Sequence, residues 1–414
     1  MSTLTLKLGA LLQSDDSGDW GDAPSGINDL MILRSGNITD ETWIDLDDTV
    51  YRAIAEPKRT KLLLRAGDIL LERSGGTDTR PVGRVAFIEH DIDAGFSNFL
   101  HRLRVNRSVA DPSYVRFVLT QWHRSGRAVA LQTQTTGIRN LMFSRYLAEP
   151  IRVPSLDVQR RIAAILEAAT ASLKTVDALI AAKREQKRGL MQQLLTGKVR
   201  FPGFTEPWKT VRLGDVADVR FSNVDKHTIP GERQVRLCNY TDVFRNRFLH
   251  PDMDFMSASA TAREIENFGL QVGDVAITKD SETPDEIGVP ALIDRTAPDL
   301  VLGYHLALLR ADRARLDPGF LLILMESDLV RAHFQRRAKG LTRFALSIGA
   351  VADTPISLPK LGEQTKIAKI YRDITMEESL LKAQRASFVT QRHGLMERLL
   401  SGDILIPSSN TSAA

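Results

Sequence analysis

Several short stretches carry residue types that could support a reaction, and each lacks part of what the chemistry needs. Thr196-Gly197-Lys198-Val199 has the Gly-Lys step of a phosphate-cradling loop but neither the spaced first glycine nor the following Ser/Thr that would meet a magnesium ion. Glu56-Pro57-Lys58 imitates the tail of a nuclease Glu-x-Lys motif, yet no Pro-Asp pair precedes it. There is no HExxH or CxxC, no Asn/Asp-Pro-Pro-aromatic tetrapeptide of the amino-methyltransferase kind, and no glycine-rich fingerprint after a strand. The eight histidines are scattered, and a lone one such as His305 is more often packed or exposed than catalytic. The single cysteine, Cys238, excludes a disulfide framework and any multi-thiolate zinc site within one chain, and is expected as a small buried hydrophobe. No residue is nominated as catalytic or as a metal ligand.

What remains is non-covalent chemistry carried by charge. The net charge of +4 is mild, but residues 1–56 hold 11 acidic against 3 basic side chains, and residues 57–153 hold 16 basic against 8 acidic. A local cationic excess suffices to neutralise phosphates, although a charge run is more often a solvated face. With 43% hydrophobic and 26% charged residues the chain is expected to be soluble and folded. No run of 18 apolar residues occurs, and MSTLTLKLGALLQ has neither a basic region nor a cleavage site, so a cytoplasmic location is expected.

The elements that must position such charges are set by a repeat. Pro150 to Val199 and Pro355 to Ile404, 205 residues apart, share 18 of 50 residues without a gap. That spacing marks a duplicated domain, since solenoid repeats recur every few tens of residues. Each copy has a Pro-punctuated extended lead, about 40 proline-free residues, and a stop at Gly197 or Gly402. In the first copy Ile162, Leu166, Ala169, Leu173, Val176, Ile180, Lys183, Lys187, Leu190 and Leu194 recur with 4,3 spacing. Their mates are Ile367, Tyr371, Ile374, Glu378, Leu381, Arg385, Phe388, Arg392, Leu395 and Leu399. So narrow a seam, on a helix roughly 60 Å long, suits one long partner helix better than a globular core, and each copy supplies the other's partner. Antiparallel pairing would set Leu173 against Phe388, Ile180 against Leu381, Leu194 against Ile367 and Lys183 against Glu378, leaving Arg385 and Arg392 unmatched and bent to the rim.

Ahead of each helix lies a globular unit. In the first, LKLGALL (6–12) precedes an acidic Gly/Asp/Ser-rich stretch, and in 61–76 an Ala-Gly-Asp turn separates apolar runs of strand length. A helix is predicted from Asp111 with Pro112 at its first position. The second unit repeats the order: Leu213-Gly214 matches Leu8-Gly9, and Gly273-Asp274 matches Gly67-Asp68. Between these landmarks nearly all side chains differ. The resulting segments are a globular domain over 1–153, a long helix over 154–200, a second domain over 201–358, a second helix over 359–405 and a flexible tail over 406–414.

The order globular unit, Pro-x-Leu-x-x-Gln-x-x-Ile-Ala-x-Ile, long helix, Leu-Met-x-x-Leu-Leu-[Thr/Ser]-Gly, given twice, resembles the specificity (S) subunits of type I DNA restriction-modification systems. It rests on Pro154, Leu156, Gln159, Ile162, Ala163, Ile165, Leu190, Met191, Leu194, Leu195 and Gly197. Their mates are Pro359, Leu361, Gln364, Ile367, Ala368, Ile370, Leu395, Met396, Leu399, Leu400 and Gly402, so the resemblance spans almost the whole chain. It implies an α+β fold with a pseudo-two-fold internal repeat: two mixed target recognition domains joined by two long antiparallel coiled-coil helices. It also implies a non-catalytic subunit that binds double-stranded DNA at a bipartite asymmetric site and docks two methyltransferase subunits, with restriction/translocase subunits completing the complex. S-adenosylmethionine, ATP and magnesium would then sit only on the partner subunits. One departure is Gly362-Glu363-Gln364 where the first copy has Asp157-Val158-Gln159, which makes the helix contacts of the two halves unequal.

Two similar domains on a rigid rod present two reading surfaces whose separation must match about one DNA turn, roughly 34–36 Å. The expected contacts are polar and basic residues in the loops flanking the matched strands and just before the long helices. They are Arg73, Ser74, Thr77, Thr79, Arg80, Arg84, Arg139 and Asn140 in the first unit, and Lys279, Asp280, Ser281, Thr283, Lys339, Thr342 and Arg343 in the second. Arg suits guanine and Asn adenine, while Lys and Ser/Thr mostly hold phosphates. Two other classes fit the same pattern: the specificity region of a type IIB-like restriction enzyme, and a coiled-coil scaffold that binds only protein.

Overall fold

The computed structural model describes residues 3–135, 137–340 and 342–406; the tail expected beyond residue 406 lies outside them. Packing divides the chain into two compact units, Met1–Ala178 with Lys382–Ala414, and Leu179–Leu381. Each long helix is thus split between the units.

In the first unit an antiparallel sheet orders Leu12–Ser17, Leu100–Val105, Asp68–Glu72 and Val85–Phe87. A three-stranded sheet of Val50–Arg52, Leu30–Leu33 and Ala94–Phe96 includes one parallel pair. The Asp111 carboxylate accepts the Tyr114 N–H at 3.0 Å and starts the helix Pro112–Arg124, with proline in its first turn. Leu4–Lys7 pairs with Pro150–Val153, the extended lead of the first long helix, which fixes where that helix enters. The apolar run 61–64, expected as a strand, instead closes the short helix Glu56–Leu62, because Pro57 in its first turn favours helical entry. Strand begins only after the turn at Gly67, whose φ of 94° suits glycine.

The second unit repeats this plan with one strand more in its main sheet. Ala217–Phe221, Leu306–Ala311, Val275–Thr278, Pro290–Ile293 and Phe248–Leu249 form its main sheet, and Met256–Ala260, Arg233–Cys238 and Leu300–Leu302 its smaller one. Asp317 caps Pro318–Glu326 by accepting from Gly319 and Phe320 N–H, and a second helix, Asp328–Arg337, follows. Lys209–Arg212 pairs with Pro355–Leu358 ahead of the second long helix. Cys238 is fully buried, and the apolar surroundings push its thiol pKa up.

The long helices run over Leu156–Leu195 and Leu361–Ser401 and stop at Gly197 (φ 67°) and Gly402 (φ 86°), left-handed positions that end a helix. Every seam position of both helices is buried or half-buried, whereas Leu179 and Leu380 off the seam are 50% and 64% exposed. The seam does more than pair helices. Ile162, Ala163, Leu166, Met396 and Leu399 complete the core of the first unit; Met191, Leu194, Ile367 and Tyr371 complete that of the second.

Inside each unit the helix halves run antiparallel, with ion pairs that differ from the expected ones. Lys183 reaches Glu377 at 2.6 Å, while Glu378 accepts from Arg184 at 2.9 Å and Lys187 at 3.1 Å. Glu378 points into the seam, its side chain 7% exposed, where the stem of Lys187 also lies; Lys183 is turned outward to the more solvated Glu377. Arg385, expected without a partner, donates to Asp177 at 2.5 Å and to Glu41 at 3.0 Å. Arg392 is buried rather than at the rim. The Glu363 departure also has a use: Arg200 from the connector binds it through two bonds of 2.8 Å. Among the described residues no helix is long and apolar enough to cross a membrane.

Candidate nucleic-acid interface

In the first unit a small antiparallel sheet of Gln132–Thr135, Ile138–Leu141 and Ser74–Gly76 gathers most of the expected contacts. Its register sets Asn140 beside Ser74, whose hydroxyl donates to the Asn140 carboxamide oxygen, and Arg139 beside Gly76. Arg139 donates from Nε and Nη2 to Asp78 Oδ1 at 3.0 and 2.6 Å. Asp78 belongs to a tight turn closed by Thr77 N–H to Arg80 O at 2.9 Å and Arg80 N–H to Thr77 Oγ1 at 3.1 Å. The hydroxyls of Thr77 and Thr79 lie 3.3 Å apart, and both threonines and Arg80 are exposed. Arg73 is exposed too, its guanidinium over the Phe143 ring and donating to Ser17 Oγ at 3.4 Å.

Arg84 does not join this group. It is 6% exposed, donates to both Glu72 oxygens at 2.8 and 2.9 Å, and binds the Ile38 and Ser35 carbonyls. Withdrawing it to meet DNA would strand Glu72, itself 3% exposed, as a buried uncompensated charge. Arg84 is structural.

In the second unit Asp280–Ser281 pairs with Phe344–Ala345. Arg343 donates to Asp280 Oδ1 at 2.6 Å and 3.2 Å, and the same oxygen lies 2.6 Å from His305 Nδ1. Lys279 is half-buried, donating to Ser222 O at 2.9 Å beside the Phe221 ring, and this burial lowers its pKa. Thr283, Lys339, Thr342 and Arg343 are exposed, and Lys339 is held by paired backbone bonds with Ala345. Ser281 is 5% exposed and donates to Glu286 Oε2 at 2.6 Å, so it supports the site from within and does not face a ligand.

One pair of positions was missed in the sequence. The Arg73 N–H donates to Phe99 O at 2.9 Å, and the Lys279 N–H donates to His305 O at 3.1 Å, so Phe99 and His305 occupy the same place in the two units. Phe99 is 46% exposed beside Gly75; the His305 ring lies tilted against that of Tyr304, centroids 3.7 Å apart. The matched Gly67-Asp68 and Gly273-Asp274 landmarks fix the offset that aligns Phe99-Leu100 with His305-Leu306, which was the available signal. Each edge therefore combines an Asp-held arginine, short hydroxyl or amide side chains and a ring. Such a set can bond base edges, hold phosphates and stack. No three or more His, Cys, Asp or Glu side chains cluster as a metal site among the described residues.

These features define a class: a duplicated α+β protein with one polar edge per unit. No protein-family model matches the chain. A curated relative, the type I restriction enzyme MjaVIII specificity subunit of Methanocaldococcus jannaschii, is 21% identical over 291 residues, covering 67% of this chain and 68% of its own. The crystal structure of a type I restriction-modification S subunit from M. genitalium matches with a TM-score of 0.61 and 13% identity, over 97% of this chain and 96% of that one. A chain solved in work on complex assembly and conformational transition of the type I system matches at 0.57 and 17%, over 97% and 98%. The chain is thus similar in sequence to one type I specificity subunit and shares the fold of solved S subunits.

Proposed function

We propose that this chain is the non-catalytic specificity subunit of a type I restriction-modification complex. Each unit reads one half of an interrupted, asymmetric DNA target, and methyltransferase and restriction/translocase subunits supply the chemistry with their own S-adenosylmethionine, ATP and magnesium. The supporting observation is one frame carrying unlike side chains at equivalent places: Arg73 and Lys279, Phe99 and His305, with an Asp-held arginine, Arg139 or Arg343, in both. Like frames with like side chains would favour a palindrome; unlike ones favour two different half-sites. Arg139 with Asn140, and Arg343, are the principal readers, supported by the threonines and lysines around them. Two methyltransferase subunits dock along the helix pair, in the cytoplasm.

The test is purification of the chain with and without a methyltransferase encoded beside it, followed by DNA capture and methylation mapping. The chain alone leaves DNA unmodified; the complex methylates a single bipartite, asymmetric motif. Capture of the methyltransferase without any sequence-selective DNA binding would make the chain a protein scaffold instead.

A further inference from the structure

The polar edge of the first unit holds an exposed phenyl ring, and the fold fixes it there. Phe99 lies in a tight turn closed by Leu100 N–H to Ser97 O at 2.9 Å. Its carbonyl accepts the N–H groups of Arg73 at 2.9 Å and Ser74 at 3.3 Å, which ties the turn to the strand Ser74–Gly76. The ring then lies over bare backbone: a side chain at residue 75 would begin 3.6 Å from Cδ2, 3.8 Å from Cε2 and 3.9 Å from Cγ of Phe99. Gly75 has a φ of 95°, which favours glycine, and a side chain at Gly76 would begin 2.8 Å from Val82. Two adjacent glycines thus leave a seat that the ring covers.

The seat falls within the register of the edge. Ile138–Leu141 sets Asn140 beside Ser74 and Arg139 beside Gly76, with a bulge between them, so Gly75 stands between the residues that face the asparagine and the arginine. A lone exposed apolar side chain on a loop is ordinary surface. Phe99 differs in being held: backbone bonds fix its main chain and the glycine seat carries one side of its ring, so a contact on the open side costs little ordering. In a major groove read by Arg and Asn, the apolar group that the bases present is the C5 methyl of thymine, and phenylalanine suits it. A wedge between base steps would need a ring standing clear of the protein, whereas this one lies on it.

The second unit is built otherwise. His305 holds the place of Phe99, with Nδ1 2.6 Å from Asp280 Oδ1 and 3.0 Å from Arg343 Nη2. By the offset that aligns Arg73 with Lys279, Gly75 becomes Ser281, which is 5% exposed and donates to Glu286. The ring at this place is polar and tied to charged partners, so it offers no apolar face to a methyl group.

We propose that Phe99 reads the C5 methyl of one thymine in the half-site of the first unit, a contact the second unit lacks. The contact presupposes the proposed DNA-reading function and adds one atom of the target to it.

The test takes the full chain in complex with its methyltransferase and duplexes carrying the mapped target. Each thymine of either strand is replaced in turn by deoxyuridine, which removes only the methyl group. Competition binding is expected to show one thymine whose methyl is worth about fourfold in affinity to the wild type, the value of one buried methyl group, and nothing to Phe99→Ala. Phe99→His, which installs the ring of the second unit, loses the same dependence. All other replacements affect the wild type and both variants alike, and an unchanged melting temperature shows that the variants are folded. Equal costs at every thymine in wild type and Phe99→Ala overturn the proposal, even where the variant binds all DNA more weakly. So does a target with no thymine whose methyl matters. A wild-type complex without any sequence-selective binding would instead overturn the proposed function, and this contact with it.

Discussion

The Gln159 side chain accepts the backbone N–H of Asp111 at 2.9 Å, fastening the start of one helix to the side of another. Its amide nitrogen donates to Pro154 O at 2.8 Å and Val109 O at 3.4 Å, and the residue is wholly buried. Gln364 does the same in the second unit, accepting from Asp317 N–H at 2.9 Å and donating to Pro359 O and Arg315 O at 3.0 Å. The repeated Pro-x-Leu-x-x-Gln is thus a clasp that sets each globular unit on its helix. Gln159→Leu leaves buried backbone groups unpaired and is expected to destabilise the first unit by about 2–4 kcal/mol, read from urea unfolding. An unchanged midpoint would show that water replaces the clasp.

Under the proposed function the two edges act as separate readers. Arg139→Ala should cost about 1–3 kcal/mol of discrimination at one half-site and Arg343→Ala at the other, measured by competition with half-site variants in the presence of the methyltransferase. A uniform loss for all DNA, with a salt slope shallower by roughly one, would mark the arginine as a phosphate contact. Loss at both half-sites from either change would sink the two-reader arrangement.

The helix pair contains one ion pair that matters more than another. Glu378→Gln leaves Lys187 in the seam without its carboxylate and should destabilise the second unit by about 3–5 kcal/mol. Lys183→Ala removes a pair whose Glu377 side chain is 55% exposed and should cost under about 1 kcal/mol. Thermal unfolding of both variants ranks them; equal losses would contradict the burial of Glu378.

His393 gives a pH dependence of defined sign. Its folded pKa of about 4 lies below the ordinary 6.5, so between these values the unfolded chain binds a proton that the folded one refuses. The stability linked to it is complete above 6.5 and is lost as pH falls toward 4. His393→Gln should flatten that part of the melting curve, and a ring titration by NMR should show no protonation near pH 6.

A fragment of residues 1–203 lacks Met396 and Leu399, which complete the first unit's core. The equivalent Met191 and Leu194 of a second copy can fill the same places, with Ile162 against Leu194, Leu166 against Leu190 and Val176 against Ile180. The fragment should therefore dimerise, more weakly than the intact chain pairs its own helices, since no Glu378 faces the lysines and effective concentration is lost. With its methyltransferase it should modify an inverted repeat of one half-site. A monomer by light scattering, or modification of the asymmetric parental site, would contradict this.

The sequence by itself determined the duplication, the helix seam, the stop glycines and the Asp-Pro helix starts, because each depends on neighbours within a few turns of the same chain. It also brought Arg73, Ser74, Arg139 and Asn140 forward, since strand flanks and turns reveal polar exposed positions locally. Burial and partner choice depended on the tertiary structure. Arg84 and Ser281 look like their exposed neighbours in sequence, yet Glu72 and Glu286, reached only through sheet packing and a turn, draw them inside. Lys183 and Glu378 occupy facing seam positions, but a turn of about 100° per residue and the length of a lysine decide that Glu377 and Lys187 are the actual partners. Arg392 looks like one more seam cation; only the folded unit shows that it is buried, with Leu173 at the place of the Glu378 that meets its counterpart Lys187. Periodicity is a property of one helix, whereas the charge that a side chain meets is fixed by segments hundreds of residues away.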